Sequence, residues 1–155
     1  MSDTTTHRQY AVQCFNECWD YIDKEMRNDE DIEQMLLLVH ASLWHWKNSL
    51  DSTPENLSVG NWQVSRVYAL AGHGELSRKF AQRSLVIARD AELSPFYIGY
   101  AYEALARAQA VSGASDHVAE YLAKANAALA NVSRDEEREL LQADLQNLVE
   151  SGHNI

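Results

Sequence analysis

Apolar residues in this chain recur at steps of three and four, the period of helices that bury one face, and nowhere sustain the alternation of a strand. Seven helices and no strands follow. The first, about Thr6 to Arg27, carries Ala11, Phe15, Cys18, Ile22 and Met26 on one line. Asn28 starts the second by capping free amides, with Asp29, Glu30 and Asp31 where the helix dipole favours negative charge. Ile32, Leu36, Val39, Leu43, Trp46 and Leu50 give this helix an unbroken stripe. Leu37, Ala41 and Trp44 widen it, so burial on two sides is expected. Thr53-Pro54 opens the third helix, because proline at the first helical position loses no hydrogen bond, and Gly72-His73-Gly74 closes it. The fourth, about Glu75 to Glu92, aligns Leu76, Phe80, Ser84 and Ile87 beside Ala81, Leu85 and Ala88. Ser94-Pro95 begins the fifth, where Tyr97, Ala101, Ala104, Leu105 and Ala108 make a narrow face before Gly113 stops it. Ser115 begins the sixth, with Val118, Tyr121, Leu122, Ala125 and Leu129 inward, and Ser133 with Glu136 reads as a capping box for the seventh. That last helix buries only Leu141, Leu145 and Leu148, as the solubilising end of a stack does.

A longer period overlies the helical one. Gly72, Phe80 and Ser84 are echoed by Gly113, Tyr121 and Ala125, each 41 residues on, a step in the range of helical-hairpin repeats. The fold expected is all-α: about seven antiparallel helices stacked as hairpins over about 6–51, 54–92 and 94–131, with a capping helix at 133–151. All of it, residues 1–155, is expected to form a single helical-repeat domain. No Ser/Gly-rich linker divides the chain, and a domain of this size buries roughly two-thirds of its unfolded surface. Tyr68, Gly72, Ser77 and Ser84, with Ser65, resemble the tyrosine, turn glycine and small residues of the tetratricopeptide-repeat family over about residues 56–130. The period exceeds that family's 34 residues, Gln109 stands where a second tyrosine would, and the closing proline is displaced to Pro95. The resemblance implies a tetratricopeptide-like right-handed superhelix and no chemistry. The stretches from His40 to Trp46 and from Asn61 to Tyr68 are also similar to an uncharacterised bacterial family, which supports the same fold and supplies no activity.

Charge narrows the partners. With 23 acidic against 13 basic residues, net −10, the surface repels phosphate backbones and anionic headgroups, so neither nucleic acid nor membrane is expected as a partner. Met1 to Tyr10 lacks the apolar run of a signal peptide and no apolar stretch is long enough to span a bilayer, which points to the cytoplasm. Cys14 and Cys18 lie one helical turn apart, with Cβ atoms roughly 5–6 Å apart, too far for a disulfide, and read as reduced core residues.

Candidate chemistry gathers around the second and third helices, where Trp44, Trp46, Trp62, His40 and His45 flank one loop. Antiparallel pairing about a turn near residue 53 sets residue 44 level with 62 and residue 40 level with 66. Counting from the starts of the third and fifth helices brings Glu103 within about one turn of Arg66. A constellation of Arg66, Glu103 and His40, walled by Trp62 and Tyr100, is the candidate site. Each member also has a plainer account: Arg66 with Glu103 as a register-fixing ion pair, His40 as a boundary histidine, the tryptophans as packing. His40 and His45, five apart and about 140° around a helix, make no two-ligand metal face, and neither metal nor cofactor is expected. There is no phosphate loop, no nucleophile elbow, and no basic neighbour to make Cys14 a thiolate. The leading expectation is a binding module whose concave face, built from Trp62, Ser65, Arg66, Ala69, Tyr100 or Tyr102, Glu103 and Ala106, holds a protein, a peptide or a small anionic ligand. Arg66 would clamp its carboxylate. The alternatives are a small enzyme or sensor, with His40 as acid/base and Arg66 as electrophilic clamp, and a homodimer formed through an exposed first helix.

Overall fold

Capping chemistry sets several of the helix boundaries. The computed structural model describes residues 4–113 and 115–152; Met1 to Asp3, the start of the polar N-terminal stretch, lie outside the described residues. The elements are α1 (Thr4–Ile22), α2 (Asp29–Asn48), α3 (Pro54–Leu70), α4 (Gly74–Asp90), α5 (Pro95–Ser112), a 3-10 turn (Ser115–His117), α6 (Val118–Leu129) and α7 (Asp135–Gly152). No strand occurs among the described residues. Asn28 and Asp31 close a reciprocal capping box at α2, and Thr53 and Asn56 close another at α3.

Several boundaries differ from the sequence expectation, two of them with a clear side-chain cause. Helix α1 stops at Ile22 rather than Arg27, because the Arg27 guanidinium turns back to donate to the carbonyls of Tyr21, Ile22 and Lys24, satisfying the free end of the helix. Met26, expected in the core stripe, is exposed. Helix α7 begins at Asp135, so Ser133 lies ahead of its cap position. Buried Val132 holds that segment in place, its carbonyl accepting from Arg138 Nη2 at 2.7 Å and Nε at 3.2 Å.

Each helix packs on the next, and α1 also reaches α3, α3 reaches α5, and α5 reaches α7. Two apolar clusters result. One joins Trp62, Leu85, Leu105 and Leu141; the other joins Cys18, Met35, Val39, Val64 and Val67. Among the described residues Trp19 alone packs against both. Helices α3 and α4 are stitched by serines: Ser58 and Ser84 donate to each other's carbonyls at 3.1 and 2.8 Å, as do Ser65 and Ser77 at 2.8 Å. One repeat period later Gly99 and Ala125 take the places of Ser58 and Ser84, and a Cβ on Gly99 would lie 3.7 Å from the Ala125 carbonyl oxygen. The echoed glycines Gly72 and Gly113 share a left-handed backbone, φ 81° and 77°.

Helix α2 is not buried on two sides. Its Met35, Val39, Ser42, Leu43 and Trp46 are buried, while Leu37 is 59% and Trp44 56% exposed; Leu50, expected on the core stripe, lies beyond the end of α2 and is 88% exposed. Helices α1 and α3 cover one stripe of it and nothing among the described residues covers the other. Leu76 likewise points out of α4, where Ser77 takes the buried position. No described helix is long and apolar enough to cross a membrane.

Candidate functional site

The 41-residue step places Glu103 one period after Trp62, and Arg107 one period after Arg66, so α3 and α5 bring these four side chains together. Glu103 is completely buried. Its Oε2 accepts from the Trp62 indole at 3.2 Å, and its Oε1 accepts from Arg107 Nε at 2.8 Å and from Arg107 Nη2. Arg66 Nη1 stands 3.5 Å from the same oxygen. Two guanidinium groups thus share one carboxylate, and Arg66 Nε and Nη1 have no hydrogen-bond partner among the described residues. Burial, then repulsion from Arg107, pulls the Arg66 pKa down against the attraction of Glu103, Asp144 and Tyr100. Tyr100 donates to Asp144 Oδ2 at 2.7 Å, and burial with this bond holds its hydroxyl far above the ordinary range, so it stays a donor.

Trp62 and Tyr100 also line a cavity of about 240 Å³. Trp19 of α1, Val59 of α3, Phe96 and Tyr97 of α5, and Leu140 and Asp144 of α7 complete most of its wall. The rings meet edge to face: Trp62 on Tyr100 at 5.3 Å and 75°, Phe96 on Tyr100 at 5.1 Å and 80°, Phe96 on Tyr97 at 5.4 Å and 79°. Trp19 lies 5.8 Å from Trp62 at a shallower tilt. Ser58 and Ser84 also border the cavity, but their hydroxyls are spent on each other's carbonyls. The space is therefore apolar and aromatic, with one carboxylate in its wall.

Of the sequence candidates, Trp62, Arg66, Glu103 and Tyr100 come together, whereas His40 and His45 do not join them. His40 Nε2 lies 2.8 Å from the Tyr68 hydroxyl and its ring packs edgewise on Phe80, two residues along α3 from the level expected for Arg66. Although the residue is exposed overall, partial desolvation of its ring lowers its pKa. His45 meets His7 instead, Nδ1 to Nδ1 at 2.9 Å, beside Tyr10 and Trp44. Trp44 packs on His7 rather than facing Trp62, whose neighbour is Trp19. The groove residues Trp62, Ser65, Ala69, Tyr102, Glu103 and Ala106 are all buried, so α3 and α5 present no open concave strip there. Cys14 and Cys18 are unpaired, and burial pushes the Cys18 thiol up to about 12.

Sequence reasoning missed Trp19, Phe96, Tyr97, Arg107 and Asp144. Arg107 was readable, standing four residues after Glu103 and one period after Arg66. Asp144 left no such trace, because its place depends on how α7 docks onto α5 at Gly99, where a Cβ would come within 2.5 Å of Leu141 Cδ2. No protein-family model, curated protein or solved structure matches the chain.

Proposed function

We propose that the chain is a binding module, a tetratricopeptide-like stack of antiparallel helical hairpins, whose ligand seats a compact apolar group in the cavity between α1, α3, α5 and α7. The inverse register of α3 and α4, where Ser58 meets Ser84 and Ser65 meets Ser77, supports the hairpin arrangement. The observation that carries the function is the cavity itself: five aromatic residues facing about 240 Å³ of space, with Val59 and Leu140 beside them. That volume lies below the roughly 300–1,000 Å³ of drug-sized sites, so it fits one side chain of a peptide or protein partner, or a small molecule of similar bulk. Arg66, the anticipated carboxylate clamp, faces Glu103 and does not line the cavity, so the geometry favours an apolar occupant over a small acid.

The test is two-dimensional NMR of the tryptophan indole groups during titration with compact apolar and aromatic compounds and with pooled peptides. Saturable shifts at Trp19 and Trp62, with Trp44 and Trp46 unmoved and the response lost in Val59→Trp, support the assignment. Saturable shifts confined to Trp44, or none with any compound, count against it. Bound at a hundred times its dissociation constant, such a ligand raises stability by about 2.7 kcal/mol.

A further inference from the structure

The lining of the cavity also bears on ligand charge. This step rests on the binding reading above. Aromatic faces carry negative electrostatic potential, and cations placed over them are attracted. Trp62 donates its indole N–H to Glu103, and Ser58 and Ser84 bond each other, so these three offer the cavity no free donor for an anion. Asp144 is an acceptor at the wall; its Oδ2 accepts the Tyr100 hydroxyl hydrogen bond, and it makes no salt bridge among the described residues. The surroundings add to this. Glu55 and Glu137 both act on the lining residue Tyr97, opposed by Arg134, and the chain carries net −10. Arg107 is paired with Glu103, and Arg66 lies beside the same carboxylate but does not line the cavity; its charge is also felt by Asp144 and Tyr100, so it offsets part of the negative potential at the wall.

We infer that the cavity takes a methylated ammonium group, its methyls against the rings of Trp19, Trp62, Phe96, Tyr97 and Tyr100 and its charge complemented by Asp144. A methylated ammonium has the compact bulk the volume allows and, unlike a primary ammonium, loses little hydration on entering an apolar box. The same head group comes on a free small molecule or on a methylated lysine of a peptide.

Titration of the intact protein at constant ionic strength with choline, with its neutral isostere 3,3-dimethylbutan-1-ol, and with a trimethyllysine peptide separates the outcomes. The indole shifts of Trp19 and Trp62 are followed. Choline or the peptide should bind about tenfold tighter than the isostere, and Asp144→Asn should weaken the cation about fivefold and leave the isostere unchanged. The tighter of the two cations identifies the source of the head group. If the isostere binds as well as the cations, the charge assignment fails while the binding reading stands. If none of the three binds, this inference fails, and the wider compound screen decides the binding reading.

A second surface is independent of the cavity. On the uncovered side of α2, Glu33, Leu37, His40, Trp44 and Lys47 are all exposed and follow steps of four and three, the spacing of a coiled-coil seam. The seam is apolar in the middle, acidic at its start with Asp29 and Glu33, and basic at its end, where Lys47 lies by Arg83 of α4. A twofold axis near His40 would set Glu33 of one copy level with Lys47 of a second, and Leu37 level with Trp44 to within one residue, about 1.5 Å. The geometry points to a second copy of this chain, packed α2 against α2 in opposite directions. Sedimentation equilibrium across micromolar concentrations reads it. A dimer that Leu37→Glu dissociates, that Glu33→Lys and Lys47→Glu each weaken about fivefold or more, and that the double swap restores, supports the seam. A monomer throughout, or a dimer indifferent to Leu37→Glu, overturns it.

Discussion

At the scale of single residues the Glu103 cluster is asymmetric, and that asymmetry predicts unequal mutational costs. Glu103→Gln leaves the half-buried Arg66 and Arg107 guanidinium groups facing each other with no carboxylate, a loss expected to cost about 3 kcal/mol in urea denaturation. Arg66→Met removes the cation that lacks hydrogen bonds at Nε and Nη1 and leaves Glu103 paired with Arg107, so it should cost under about 1 kcal/mol or stabilise. Equal costs for the two variants would show that Arg66 is a full partner of Glu103. The histidines make a separate prediction about pH. His40 and His45 both have pKa values lowered from 6.5, chiefly by partial desolvation and at His45 also by His7, so just below pH 6.5 the unfolded chain binds more protons than the folded one. Stability is then complete above about pH 6.5 and declines as pH falls through the histidine range. The melting temperature should drop between pH 7.5 and 5.5, and the drop should flatten in His40→Gln/His45→Gln. The Arg66 and Glu103 pairing was legible in the sequence because both lie at countable distances from helix starts marked by Pro54 and Pro95. His40 was not, because a helical wheel gives the direction of a side chain and not which of two nearby polar groups, Arg66 or Tyr68, it meets.

At the scale of helices, two glycines two residues apart do different jobs. Gly72 adopts φ 81° with open space where a Cβ would go, so it is there for its backbone. Gly74, the first residue of α4, has ordinary backbone but sits against α5: an added Cβ would meet Ser112 Cβ at 2.6 Å and its Cα and N at 2.9 Å. Gly72→Ala should cost about 1 kcal/mol, from left-handed strain alone. Gly74→Ala should cost about 2 kcal/mol, because main-chain atoms must move. Asparagine separates the causes: it tolerates left-handed backbone, so Gly72→Asn should recover most of the loss while Gly74→Asn should be worse than alanine, as thermal denaturation would show. In the sequence the pair reads simply as a helix stop. Turn chemistry is local and therefore legible, whereas close approach to a residue 38 positions away is not. The same limit explains α2, whose two apolar stripes look alike in sequence although only one has helices packed over it.

At the scale of the molecule, the contacts that skip a neighbour decide how it unfolds. A purely linear array of hairpins is stabilised by nearest neighbours and loses structure piecemeal. Here α1 reaches α3 and α5 reaches α7, and Trp19 packs against both apolar clusters as well as the cavity. The helical period made seven helices legible, and the repeat period made an open groove the natural inference. It could not show that Trp19 would lie against Trp62, because α1 falls outside the repeat. If Trp19 couples the two clusters, urea unfolding of the intact chain should give coincident transitions by circular dichroism and by tryptophan fluorescence. Trp19→Ala should then lower stability by about 2–3 kcal/mol and also separate the two transitions, with a smaller apparent m-value. A variant that loses stability with the transitions still superimposed would assign Trp19 to packing alone, and the coupling would have to run through α3 and α4, which the serine pairs join to each other.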